Sequence, residues 1–137
     1  LAAYYGEAAP FIKEYLEYVT AKVMATTHSF VMEWHYQTAL FTNAEVAKLD
    51  RLWDKAEAAN LTDAQRFRVE TARLSFQFCK ASTFRGEFSI LSLNRGKLNE
   101  QLYDDLKAHG ISMICAFSPM PPKEDIDFFL TSPVDWR

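Results

Sequence analysis

The side chains in this chain best suited to hold a ligand are aromatic. Trp34, His35 and Tyr36 are consecutive, and Tyr4 and Tyr5 form a second pair near the start. Flat aromatic faces stack on the apolar C–H face of a sugar, while phenol, indole and imidazole groups hydrogen-bond its hydroxyls. The commoner use of such residues is to plug the gap between helices or to meet an adjoining domain. That use is the preferred reading, with sugar contact by Tyr4, Tyr5, Trp34, His35 and Tyr36 kept beside it.

Other chemistries find less support. A metal needs several ligands converging at fixed geometry. The nearest set, His28, Glu33 and His35, fits no ligand spacing, and no HExxH arrangement is present, so no metal or other cofactor is expected. Glycoside hydrolysis needs two carboxylates about 5 to 9.5 Å apart across a sugar ring. Here the acids are expected mostly on the solvent side of helices. Glu70 has Arg66 four residues before it and Arg73 three after, which reads as a surface ion-pair ladder with a contribution of only tenths of a kcal/mol per pair. Asp104 and Asp105 are adjacent and so point in different directions on a helix. Cys79 has no His near it in sequence, and Cys79, among Phe76, Phe78 and Lys80, and Cys115 each have apolar neighbours, so buried thiols are preferred over a disulfide. The four glycines are isolated, which removes a phosphate-binding loop, and a GxSxG turn is absent. No catalytic residue is assigned.

Composition narrows the class further. The 137 residues are 49% hydrophobic and 24% charged, which suits one compact globular domain. Eleven Phe, six Tyr and three Trp supply bulk to close a core in so short a chain. The net charge of −3 comes without any long cluster of Lys and Arg, which disfavours nucleic acid as a partner. The longest apolar stretch, Ile111 to Phe117, falls far short of the ~20 residues that span a bilayer. The chain opens on an amphipathic helix start rather than a signal peptide, and on Leu rather than Met. Upstream residues, with an export signal and the chemistry among them, are therefore expected to precede it.

The elements that must position these side chains are mainly helices. The first is expected over about Glu7 to Ala25, with Pro10 in its first turn and Phe11, Ile12, Tyr15, Leu16, Val19 and Val23 on one face. From Thr26 to Phe41 the pattern has no clean period. Thr42 with Glu45 forms a capping box opening a second helix. Val46, Leu49, Leu52, Trp53 and Ala56 make its buried stripe, and it ends near Ala59 and Asn60. Thr62 with Gln65 is a second capping box. It opens a third helix to about Ser82, with Phe67, Thr71, Leu74 and Phe78 inward, widened by Val69, Ala72 and Phe76. The short link between the two forces an antiparallel hairpin. Asn94 can cap a fourth helix with Leu98, Leu102, Tyr103 and Leu106, closed by a left-handed Gly110. An extended segment over Ile111 to Phe117 and a last short helix over Glu124 to Leu130 follow. The expected fold is mainly α, an antiparallel bundle of about four helices with a short extended segment near the C-terminus, forming one helical domain over residues 1–137.

The run YYGEAAPFIKEYLEYV, Tyr4 to Val19, resembles the opening of a helical region in a bacterial family of unknown function, common in gut bacteria that degrade glycans. KLDRLWDKAEAAN and RFRVETARLSFQF, within Lys48 to Phe78, resemble the helix pair of the same region. The likeness covers roughly Leu1 to Lys80. YYG-x-AAP is its distinctive part and the helix pair its generic part. In that family the helices follow a glycoside-hydrolase-like barrel. The resemblance implies a periplasmic, secreted or cell-surface bacterial protein acting on glycans, in which this chain packs on the upstream barrel as a non-catalytic accessory domain. The catalytic carboxylates would lie in the barrel, so none is carried to a position here, and any hydrolase activity belongs to the full-length protein. The alternative is a free-standing helical module that binds a protein partner or itself. Either reading expects an apolar face near Tyr4, Tyr5 and Trp34.

Overall fold

The computed structural model describes residues 1–25, 41–83, 95–115 and 118–126, and at 82–83, 95–97, 114–115 and 118 the backbone alone. The protein is mainly α. Its helices are α1 (Ala2–Tyr5), α2 (Ala9–Ala25), α3 (Asn43–Glu57), α4 (Asp63–Thr83) and α5 (Arg95–Ala108). Two short strands follow, β1 (Met113–Cys115) and β2 (Ser118–Pro119), and 3-10 turns lie at Gly6–Ala8 and Lys123–Asp125. Two compact units divide the chain, Leu1–Arg73 and Leu74–Arg137.

In the first unit α3 is the central helix, and its side-chain pattern explains why. Val46, Leu49, Leu52, Trp53 and Ala56 recur at helical spacing and all five are buried. Against them α2 sets Ile12, 3% exposed, and Tyr15, whose ring centroid lies 4.9 Å from that of Trp53. Residue order fixes the direction. Lys22 meets Glu45 while Tyr15 meets Trp53, so α2 and α3 are antiparallel. Arg66 reaches the Glu57 carbonyl and Arg73 reaches back to Asp50, so α3 and α4 are antiparallel as well. The expected hairpin is present.

Both capping boxes form. The Thr42 hydroxyl accepts from the Glu45 N–H at 3.3 Å, and the Glu45 carboxylate accepts from the Thr42 N–H at 2.7 Å. Thr62 and Gln65 repeat the exchange at 3.3 and 3.0 Å. Each box satisfies two donors that a bare helix end leaves exposed.

Helical structure begins earlier than the sequence pattern indicates, at Ala2, because a bend at Gly6 lets a short N-terminal turn precede α2. Gly6 has φ 58 and ψ −134, a conformation open to glycine and hardly to any other residue. A Cβ there would sit 2.6 to 2.8 Å from the Gln65 side-chain amide, the group that closes the α4 capping box. Gly6→Ala therefore meets both strain and collision, and is expected to cost about 2 kcal/mol. Gly110 has φ 73, but a Cβ there meets nothing within 4 Å, so Gly110→Ala is expected to cost about 1 kcal/mol from backbone strain alone. Urea midpoints should fall for both variants and further for Gly6→Ala; equal losses would contradict the Gln65 contact.

Three expectations about faces need correction. Phe67, expected on the inner side of α4, is 51% exposed. Val69, 0% exposed, lies two residues on, about 200° around the helix, and Val69 and Phe76 mark the buried side. Leu16 on α2 is also about half exposed, at 45%, instead of lying with the rest of its apolar face. Cys79 is exposed instead of buried, because it follows Phe78, which packs inward, by one 100° step.

In the second unit Leu74, Leu102, Leu106 and Ile126 form a buried cluster, with Phe78, Ala81, Tyr103, Ile111 and Met120 packed around it. The end of α5 is closed as expected. The Gly110 N–H donates to the Lys107 carbonyl and the Ile111 N–H to the Leu106 carbonyl, the paired bonds of a Schellman motif. Part of the expected extended segment forms β1, antiparallel to β2, with Met113 opposite Pro119 and an irregular register before Cys115. Lys123 binds Asp104 at 2.5 Å and ties the second 3-10 turn to α5. The Asn94 cap, the irregular run from Thr26 to Leu40 and the end of the last expected helix lie outside the described residues.

Candidate functional site

Of the five aromatic residues singled out as ligand contacts, Tyr4 and Tyr5 are described; Trp34, His35 and Tyr36 lie outside the described residues, as do His28 and Glu33. In α1 the amides of Tyr4 and Tyr5 both donate to the Leu1 carbonyl, at 3.0 and 2.8 Å. This tight turn sets the two rings edge to face, 4.8 Å apart and 83° between planes, the arrangement favoured by ring quadrupoles. Tyr4 remains 52% exposed. Tyr5 is half-buried, and burial, helped by its neighbour Tyr4, raises its phenol above the ordinary value.

Arg68 of α4 completes this surface, and sequence reasoning missed it. Its guanidinium lies 4.5 Å from the Tyr4 ring centroid and donates to the Tyr4 carbonyl at 3.1 Å. Stacking of this kind contributes about 0.5–1 kcal/mol at an exposed position. It also covers one face of Tyr4, so a sugar could stack only on the other. Among the described residues Arg68 pairs with no carboxylate. Leu1 at 54% and Phe67, the residue before Arg68 and about 100° from it around α4, at 51% are exposed as well. The result is an aromatic and aliphatic surface holding one oriented cation. It can take up an apolar face that carries an acid; it holds no nucleophile with a base beside it.

Elsewhere two carboxylate hubs emerge that a single sequence conceals. Glu45 accepts from Lys22 at 2.6 Å, from Tyr18 at 2.8 Å and from the Thr42 hydroxyl at 2.9 Å, in addition to the Thr42 N–H. Lys48 lies over the Tyr18 ring at 4.3 Å. The capping spacing signalled that Glu45 turns toward Thr42; nothing local signalled Tyr18 or Lys22, which are 27 and 23 residues away. These bonds, that from Lys22 first, hold the Glu45 carboxyl at about 2, below its ordinary 4.5. A depressed carboxyl contributes stability that is complete above its unfolded value and lost as pH falls through the folded one. Gln can keep the capping geometry but carries no charge. The gap in urea midpoint between wild type and Glu45→Gln should therefore hold steady above about pH 5 and close as pH falls toward about 2. A gap unchanged with pH would contradict the Lys22 and Tyr18 bonds.

The second hub overturns the surface ladder expected around Glu70. Arg73 turns to α3 instead, binding Asp50 and Asp54 at 2.8 Å and Glu57 at 2.5 Å, with its own side chain only 12% exposed. The reason is charge density. Three acids spaced along one side of α3 offer the guanidinium more than a single helical neighbour does. Burial alone would lower Arg73, but the bonds to Asp50 and Asp54 more than reverse this and leave it above its ordinary value. Burial raises the Glu57 carboxyl, with Arg73 opposing.

Glu45, Asp50, Asp54 and Glu57 all face cations. Among the described residues no group of three or more His, Cys, Asp or Glu side chains is gathered to hold a metal ion, and no helix is long and apolar enough to cross a membrane. No family model, curated protein or solved structure matches this chain.

Proposed function

We propose that this chain is a non-catalytic helical accessory domain of a larger, exported glycan-processing protein, seated on an upstream barrel domain through the surface around Tyr4 and Arg68. The observation that carries the docking half is the company Arg68 keeps. It is stacked on a half-exposed Tyr4, with Leu1 and Phe67 exposed as well, and has no carboxylate partner among the described residues. Tyr and Arg are among the residues enriched where protein contacts carry most of their energy. The facing surface would bring an acid to Arg68 and an apolar group to Tyr4. The glycan half rests on the likeness of Tyr4 to Val19 and of Lys48 to Phe78 to the helical region that follows glycoside-hydrolase-like barrels. Catalysis, on this reading, belongs to the barrel.

The same exposed surface also supports a free-standing interaction module, and Tyr4 and Tyr5 keep the option of sugar contact. Light scattering at several concentrations and calorimetry against a glycan panel separate the three. The accessory reading expects a monomer that gives no heat with sugars. A concentration-dependent dimer lost on Tyr4→Ala would favour the module. Heat lost on Tyr4→Ala or Trp34→Ala would make the chain a sugar-binding domain.

A further inference from the structure

We draw no further inference here: the strongest candidate beyond the surface already described, the side-chain cluster of Asp50, Asp54 and Glu57 around Arg73 on the α3–α4 hairpin, is an acidic cluster closed by its own guanidinium, and no second observation in the structure points to a ligand for it.

Discussion

Replacing Trp53 with alanine should destabilise the first unit by about 4 kcal/mol, the scale on which large aromatic side chains are missed from a core. Trp53 is 2% exposed and sits in the buried stripe of α3 against Tyr15 of α2, so its loss opens a cavity where these two helices meet. The chemically milder Trp53→Phe should behave quite differently. The indole Nε1 is buried without an acceptor among the described residues, and an unpaired buried donor costs about 1–3 kcal/mol. Phenylalanine removes that donor while leaving a smaller gap, so the two effects offset and the net change should lie within about 1 kcal/mol of zero. Urea unfolding followed by far-ultraviolet circular dichroism reads both variants. Losses of equal size for Ala and Phe would show that the indole N–H is well satisfied and that the packing account of Trp53 is wrong.

Arg73→Ala should cost about 3 kcal/mol, and for a different reason. Removing one partner of a partly buried ion pair leaves the others uncompensated, and here three acids within one and a half to two turns of α3 would lose their shared cation. The figure is set toward the low end because Asp54 is 63% exposed and water screens part of its charge. The sign with pH follows. Burial raises the Glu57 carboxyl and Arg73 opposes that rise, so without Arg73 Glu57 takes up its proton more readily and the deficit of the variant should shrink as pH falls from 7. Arg73→Lys should recover only part of the loss, since an ammonium cannot serve three carboxylates as a planar fork does. A deficit independent of pH would mean that Arg73 acts through its packed methylenes instead.

Where a signal is local, the sequence already contained it. The capping boxes span three residues each, and the turn at Gly110 needs only a residue that tolerates positive φ, so both could be read without tertiary knowledge. The α3 stripe was complete because its apolar residues occupy one side of the helix and its charges the other. On α4 the same reasoning failed. Phe67, Val69, Phe76 and Phe78 place apolar bulk on more than one side, so periodicity alone could not select the inward one. Arg73 then occupies a position next to the buried stripe that a charge takes only when a partner is waiting, and the partners belong to another helix. The candidate surface was half legible. Tyr4 and Tyr5 stand out by type, but Arg68, 64 residues from Tyr4, joins them only through the fold. The habits of cysteine point Cys79 inward, and its one-step offset from Phe78 places it outside.

The proposal that the Tyr4 and Arg68 surface receives a neighbouring domain can be tested by hydroxyl-radical footprinting. The reactivity of Leu1, Tyr4 and Phe67 would be compared between this chain alone and the intact product of its gene. All three are about half exposed here, so they should label readily in isolation and fall several-fold in the intact protein, while Met24, 80% exposed on α2, should label equally in both. If Tyr4 and Phe67 label to the same extent in the two, or if the gene encodes little beyond these 137 residues, no neighbour covers this surface and the accessory-domain account is wrong.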